Sequence, residues 1–597
     1  MTATTPIETD FLIVGAGPAG ASLACFLASY GLKGTVIASA AGTADTPRAH
    51  ITNAATIECF RDLGIEDEVM KLAIAEENIS HVRWAQSMAG EEYARVFAFG
   101  QGPERQGDYR KASPCKHVDI PQTLLEPILI RYATTHGFKV RFDTALVDFE
   151  ENPDGKIVAT VEDSLANLSY QISTKYLFGA DGGRSTVVKK LGLPLTVGQG
   201  GGTMINVLVK ADLSHLMGNR KGDLHWVLQP GRDESDGLNS MCCVRMIKPW
   251  HEWMFILVAR PDVDLRTHQI TNEQYLNRVR EVIGDNTPVE LLHISAWNVN
   301  EIYAETYSRG NVFCLGDAVH RHPPARGLGS NTCVQDAFNL AWKVAYVEKG
   351  LASPSLLDTY SAERQPVGRE VVETTNAALR TNALIWEALG AFPEPNPSAL
   401  LELKSADPAG VARRERLREG LRLVRSEYNG LGLEMGQRYE SSAVYLDDEN
   451  EPPITSEKVA ADPILHHGPR TYPGCRVPHA WLNKAVPGRQ ISTIDLTGHG
   501  TFTLFFGVGG GAWKEAAVSV TRSTKVPIKA YSIGYRQDWE DVYSTWYETR
   551  DVEESGAVLA RPDRVIAWRA RTVPVGGVKE AENKLETVIN CVLCRQS

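Results

Sequence analysis

Three short motifs in this 597-residue chain have residue types and spacing suited to holding a dinucleotide. The first is Gly15-Ala16-Gly17-Pro18-Ala19-Gly20. Glycines at 15, 17 and 20 let a backbone approach a pyrophosphate, and a helix beginning at Pro18 and Ala19 adds about half a positive charge. Taken alone the pattern is weak, because with 51 glycines in the chain it is expected about 0.4 times by chance. Its context gives it weight: it follows the apolar, β-branched DFLIV, opens the helix-like ASLACFLASYG and leads to GTVIA. The acidic residue that would hold the ribose hydroxyls after the second strand is missing; Ser39 occupies that place and Asp45 lies further along. The second motif, Gly179-Ala180-Asp181-Gly182-Gly183-Arg184-Ser185, also reads as an ordinary Asp-Gly turn. The third is far more specific. Gly316-Asp317-Ala318-Val319-His320, Pro323-Pro324 and Gly327-Leu328-Gly329-Ser330-Asn331 precede a helix carrying Asp336, Asn339, Trp342 and Lys343. Ten such residues fixed at roughly one in twenty each give a chance of roughly 10^-13.

Each motif ends a strand and starts a helix, so together they predict one α/β nucleotide-binding domain interrupted by insertions. The interrupted domain is expected over residues 1–195, with an excursion near 80–115, and again over 301–390. Between them, 196–300 carries TMINVLV, LHWVLQ, MCCVRMI and WMFILVA, which read as the antiparallel strands of a second, sheet-based domain. FPEPNP at 392–397 and the charged stretch 403–420 suggest a helical linker over 391–454. Pro452-Pro453 then precedes a C-terminal domain over 455–597.

Composition limits the function classes. With 62 basic against 73 acidic residues the net charge is -11, and no Lys/Arg cluster offers a footprint for nucleic acid. Ten scattered cysteines, many in apolar runs, do not form an extracellular disulfide framework, and a reducing cytoplasmic setting is expected. Phe11 to Leu32 lacks charge over a bilayer-spanning length, but Gly15, Gly17, Pro18 and Gly20 interrupt it and MTATTPIETD contains no basic residue. Neither a membrane span nor a signal peptide is expected, and Arg-Gln-Ser at the C-terminus shows no targeting address. His320, His322, His466 and His467 lack the spacing of a metal site, so no metal is expected. Cys591-x-x-Cys594 sits in a terminal helix-like run rather than at a helix start, which favours packing over redox work. Trp226, Trp250, Trp253 and Trp297 are read as core rather than as site residues.

The three motifs, in this order, resemble the single-component FAD-dependent aromatic hydroxylases. Within them the chain is most similar to the phenol 2-monooxygenase and chlorophenol monooxygenase branch. The similarity is carried by TPRAHITNAATIECFRDLG (46–64), HRHPPARGLGSNTCVQDAFNLAWKV (320–344), LGLEMGQRYESSAV (431–444) and GAVLARPDRVIAWR (556–569), and it spans nearly the whole chain. PGCRVPHAWL and DLTGHGTFTLFFG look like the start of that branch's thioredoxin-like domain. The resemblance implies a p-hydroxybenzoate hydroxylase-type FAD domain, an inserted antiparallel-sheet substrate domain and a thioredoxin-like C-terminal domain.

Carried over residue by residue, Gly15, Gly17, Pro18, Ala19 and Gly20 would approach the FAD pyrophosphate, with Ser39, Arg48 and Gln122 nearby. Asp317 would bind the ribityl chain, Gly327, Leu328, Gly329, Ser330 and Asn331 would face the pyrimidine edge, and Pro324 would line the substrate side. Asp181 would serve FAD and the transient NAD(P)H. Arg326 departs from the small residue usual there, placing a charge beside the ring. The implied reaction uses NAD(P)H and O2 to hydroxylate a phenol, ortho to its hydroxyl, through a flavin C4a-hydroperoxide. A phenol titrates near 10, so ionising it at about pH 7.5 represents roughly 3.4 kcal/mol, which a nearby base could supply. His50 aligns with the family's aspartate and is expected to act as base or to orient substrate; the bland reading is a histidine packed under the flavin. An FAD-dependent reductase or oxidase, a hydroxylase of a larger polycyclic phenol and a non-catalytic flavin-binding module are the alternatives. A homodimer or higher oligomer is compatible with all of them.

Overall fold

The computed structural model describes residues 6–222, 224–260, 262–263 and 269–595. The segments MTATTPIETD and Arg-Gln-Ser, where the absence of targeting addresses was expected, lie in part outside these residues, at Met1–Thr5 and at Gln596 and Ser597.

The first sheet is built around five parallel strands in the order Val312–Cys314, Leu168–Gly179, Ile7–Val14, Thr35–Ile37 and Lys139–Arg141. The carboxyl-terminal parts of its central strands, Phe11–Val14 and Tyr176–Gly179, are buried together with Thr35–Ile37 and Val312–Cys314, and the Pro18–Ser29, Gln122–Thr135 and Gly329–Glu348 helices contribute to the same core. Register brings the motifs together. Val14 pairs with Gly179 and with Ile37, and Gly179 pairs with Cys314, so these four strands, the three that carry the motifs among them, end at one level. Their turns then open side by side at the carboxyl edge of the sheet, where ligands of open α/β sheets bind.

The second sheet has seven strands, in the order Glu290–Asn298, Thr203–Lys210, Glu252–Ala259, Leu238–Lys248, Leu224–Leu228, His81–Ala85 and Glu92–Phe97. All pairs are antiparallel except that joining Leu224–Leu228 to His81–Ala85. The excursion near residue 80 thus supplies the last two strands at one side of this sheet, with Glu92–Phe97 at the edge. Trp253 is fully buried in this domain's core, whereas Trp226 and Trp250 are only partly covered.

Residues 399–428 are not a free linker. The Pro408–Tyr428 helix packs along the Asp358–Ala388 helix and sends Val424 and Tyr428 into the core of the seven-stranded sheet, with Leu417 and Leu421 alongside. Apart from the buried Glu427, its arginines and glutamates are exposed or half-buried, so the charge density of 403–420 reflects an amphipathic helix. The C-terminal unit is a four-stranded sheet ordered Ile528–Ser532, Phe502–Phe506, Ala557–Ala560, Ile566–Ala570, with only the first pair parallel. The helices Gly511–Thr524 and Gly577–Val592 pack together against it, giving the β-α-β, β-β-α order of a thioredoxin-like fold. Cys591 and Cys594 lie at the end of the last helix and its following turn, away from any strand-to-helix start.

Candidate active site

The glycine turn is shaped partly by the protein and partly by space left open. Gly15 has φ +110 and its N–H donates to the Ile37 carbonyl at 2.7 Å; a Cβ there would collide with the Ala180 carbonyl. A Cβ on Gly20 would strike the Gly15 carbonyl. At Gly17 the nearest atom to such a Cβ would be Glu126 Oε1, 3.8 Å away, so no protein group demands glycine there. That open approach, at a helix start with Pro18 in its first turn and no side-chain cap, fits a pyrophosphate. Ala19 is buried, and Gly316 at φ +65 leaves no room for a Cβ between Ala19 and Cys333, so the first and third motifs touch. Asp317 is exposed at the end of the Val312–Cys314 strand and free to reach a polyol.

Other expected contacts are placed around this crevice. Ser39 is exposed just past the Thr35–Ile37 strand, and Arg48 is exposed in the following loop. That loop is clamped: Gln122 accepts the Ala49 N–H at 3.2 Å and donates through Nε2 to Glu126 Oε1 at 2.6 Å, while Glu126 Oε2 accepts the Ala44 N–H at 2.6 Å. Burial pushes the Glu126 carboxyl up from its ordinary value. Arg245, from the seven-stranded sheet, donates to the Arg48 carbonyl at 2.7 Å and to the Pro47 carbonyl. Asp181 spends its carboxylate locally, accepting from Ser185 Oγ at 2.5 Å and from the Thr186 and Val187 N–H groups. It therefore shapes the second turn as a helix cap.

The third motif divides into a ligand-facing loop and the helix residues that hold it. Pro324 is exposed, and Ser330 is half-buried at the start of the Gly329–Glu348 helix, which has no side-chain cap. A Cβ on Gly327 would lie 3.1 Å from Ile51 Cβ, and Gly329 faces the His322 ring. Leu328 packs into a small core with Val367 and Leu433. Asn331 is buried and joins three segments: its Nδ2 donates to the Ile51 carbonyl at 2.9 Å and the Gly327 carbonyl at 2.6 Å, and its Oδ1 accepts the Asn53 N–H at 2.9 Å. Asp336 accepts from the Gly316 N–H, His320 Nε2 and Arg364 Nε at 3.1, 2.8 and 2.7 Å, fixing the turn that carries Asp317.

Arg326 does not direct its charge toward the crevice. At φ +64 its side chain turns outward, donating to the Thr374 carbonyl at 3.3 Å and the Ser426 carbonyl at 2.5 Å. Next to that contact Glu427 is buried, accepts from Asn382 and has its carboxyl pushed up by burial from 4.5 to about 7, Arg326 opposing. A carboxyl raised on folding favours the native state below its unfolded value, and that stability is lost as pH rises to the folded value. Glu427→Gln is therefore expected to gain on the wild type by about 1.4 kcal/mol per pH unit between about pH 4.5 and 7, with parallel curves above, in urea unfolding. A difference independent of pH over that range would refute this.

His50 lies just before the Ile51–Thr52 strand, which pairs with Val118–Asp119. Its Nδ1 is 2.9 Å from Oδ2 of Asp119, a carboxylate buried to 1 % side-chain exposure, while the imidazole keeps 13 %. An ionised carboxylate only accepts, so Nδ1 donates and Nε2 carries the basic lone pair. The next residue, Ile51, packs against Gly327, so His50 is one residue along the chain from a contact with the loop expected to face the flavin. Asp119, Glu126 and Arg245 escape motif reading; the signals were a lone acid inside HVDI and the i, i+4 pair Gln122 and Glu126. Among the described residues no group of three His, Cys, Asp or Glu could hold a metal, and no helix is long and apolar enough to cross a membrane.

Residues 8–375 match the FAD binding domain family, and 470–594 match the aromatic-ring hydroxylase C-terminal family. The chain is 41% identical over 595 residues to a 2,4-dichlorophenol 6-monooxygenase of Delftia acidovorans, covering 98% of this chain and 99% of that one. It is 40% identical over 576 residues to a phenol 2-monooxygenase of Pseudomonas sp. (strain EST1001), covering 96% and 91% respectively. Among solved structures it superposes with a TM-score of 0.90 on the flavin-dependent monooxygenase PieE in complex with FAD and substrate, at 37% identity and covering 99% of this chain and all 100% of that one. With a dinucleotide crevice, an imidazole-carboxylate pair beside it and full-length similarity, the chain belongs to the family of FAD-dependent aromatic-ring hydroxylases that includes the phenol and chlorophenol monooxygenases.

Proposed function

We propose that this protein hydroxylates a small phenol at the carbon ortho to its hydroxyl, in the cytoplasm, consuming NAD(P)H and O2. The observation that carries the reading is the His50-Asp119 pair on the strand whose Ile51 meets the Gly327 loop. Bound FAD supplies the electron transfer and oxygen activation; the chain's residues bind, orient and deprotonate.

His50 is proposed to take the phenol proton at Nε2, and the buried Asp119 carboxylate steadies the imidazolium that results. Loss of that proton makes the ring carbons ortho and para to the oxygen electron-rich, and the seating of the ring against the flavin is proposed to choose the ortho carbon. Gly15, Gly17 and Gly20 are assigned to the FAD pyrophosphate, with Arg48 and Gln122 along the same loop and Asp317 on the ribityl chain. Gly327 to Asn331 are assigned to the pyrimidine edge, Pro324 to the substrate side and Asp181 to shaping the second turn. A panel of phenols, chlorinated ones included, tests the reading through stimulated NAD(P)H oxidation with product identification. Steady NAD(P)H consumption without ring product would favour a reductase or oxidase. Product only from polycyclic phenols would move the substrate class.

A further inference from the structure

A cavity of about 480 Å³ opens between the edge strand Glu92–Phe97, the last turn of the Pro408–Tyr428 helix and the segment around Lys458 to His466. Its size falls within the roughly 300–1,000 Å³ of small-molecule sites. The side chains around it are unusual for a chain of net charge -11. Arg95, Arg105, Arg425 and Lys458 line it, against Glu104 as the one carboxylate of the lining.

These cations differ in how they are held. Arg105 is fixed by Asp108 at 2.6 Å, by the Leu465 carbonyl at 2.5 Å and by the His466 ring at 3.0 Å. Arg95 shares Glu92 with Arg83, so two cations face one carboxylate there. Lys458 reaches the same Asp108 at 3.3 Å. Arg425 is exposed and has no ion-pair partner among the described residues. The rings of His81 and Phe97 also line it, with centroids 4.5 Å apart and planes tilted by 36°, and Phe97 is 39% exposed. A concavity lined by cations and by an accessible aromatic ring suits a molecule with a flat base and phosphates.

The cavity also shares a wall with the catalytic region. Asn429 lines it, and a Cβ on the adjacent Gly430 would lie 3.7 Å from the Arg326 guanidinium, one residue before Gly327. Asn429 further accepts the Gly100 N–H at 3.0 Å and donates to the Phe97 carbonyl at 2.9 Å, which makes that wall rigid.

We propose that this cavity receives the adenosine diphosphate half of the nicotinamide co-substrate, its base on the Phe97 and His81 rings and its phosphates among Arg105, Arg425 and Lys458. The proposal rests on the hydroxylase reading, which requires NAD(P)H to visit a chain whose described residues form no second parallel-sheet dinucleotide domain for it.

The test uses the FAD-loaded protein, so that the FAD site is already filled. Arg425→Glu and Lys458→Glu are expected to raise the KM for NAD(P)H about tenfold, with FAD content and the KM for the phenol retained. Calorimetric titration with ADP should show salt-sensitive binding to the wild type, weakened about tenfold in Arg425→Glu. Arg422→Glu is the control, since Arg422 lies on the same helix but is exposed and paired with Glu419 at 2.7 Å. Unchanged KM and ADP affinity in Arg425→Glu, or an equal effect of Arg422→Glu, would overturn the assignment. If the wild type oxidises no NAD(P)H with any phenol, the hydroxylase reading fails, and the ADP titration alone still decides whether the cavity binds a nucleotide.

Discussion

His50→Ala is expected to keep FAD but to lose about two to four orders of magnitude in phenol hydroxylation, the usual span of general acid-base assistance. FAD should stay because the glycine turn, Asp317 and the clamp on the Ala44 to Ala49 loop do not pass through the imidazole. The loss should depend on pH. Raising pH toward the phenol's own value near 10 generates phenolate without help, so the deficit shrinks, and more acidic phenols suffer less. Asp119→Asn should show a smaller deficit of the same form, because it disturbs the hydrogen bond that sets the imidazole tautomer. Stopped-flow rates of hydroxylation across pH and phenol acidity check both. A deficit identical at every pH and for every phenol would mean that His50 only positions the substrate.

The second large effect concerns stability. Glu363 is fully buried where the Asp358–Ala388 helix meets the C-terminal unit. It accepts from Arg561 at 2.6 and 2.9 Å, Lys343 at 2.7 Å, Asn339 at 2.7 Å and Ser441 at 2.6 Å. Asp563 holds the other edge of Arg561 at 2.6 and 2.9 Å. Burial pulls the Lys343 ammonium down to about 8, and Arg561 and Lys343 hold the Glu363 carboxyl far below its ordinary value against the burial that opposes them. Glu363→Ala leaves the buried Lys343 without its carboxylate and Arg561 with Asp563 alone, and is expected to cost about 3–5 kcal/mol, as removal of one partner of a buried pair does. Denaturant unfolding should show the loss, and limited proteolysis should release the C-terminal unit first. Glu363→Gln, which keeps the shape and part of the hydrogen bonding, should fall between. A wild-type unfolding curve for Glu363→Ala would show that apolar packing alone joins the two units.

The same residues show what a sequence can and cannot disclose. The three strand-to-helix turns were legible because glycine and aspartate are required at strand ends where a backbone must turn sharply, and these requirements are local. The order in which the strands pair was not legible, since Leu168–Gly179 inserts beside Ile7–Val14 from some 160 residues away. Asp336, Asn339 and Lys343 stood out as part of the third motif, yet they brace the Asp317 turn or lock the C-terminal unit. A helix pattern shows that polar residues are fixed there without showing what they face. Residues 403–420 read as a linker because charge outnumbers apolar residues, while the buried stripe continues beyond them to Val424 and Tyr428. Asp119 gave little signal, being one acid in a short apolar strand, and its meaning depends on a partner 69 residues away.

Incorporation of labelled dioxygen into product tests the central claim most directly. The FAD-loaded protein, given NAD(P)H and a phenol that stimulates its oxidation, should place one oxygen atom from labelled O2 on the ring carbon ortho to the hydroxyl. A ring that carries oxygen from water, or NAD(P)H oxidation that yields only hydrogen peroxide across the whole panel of phenols, would contradict the account.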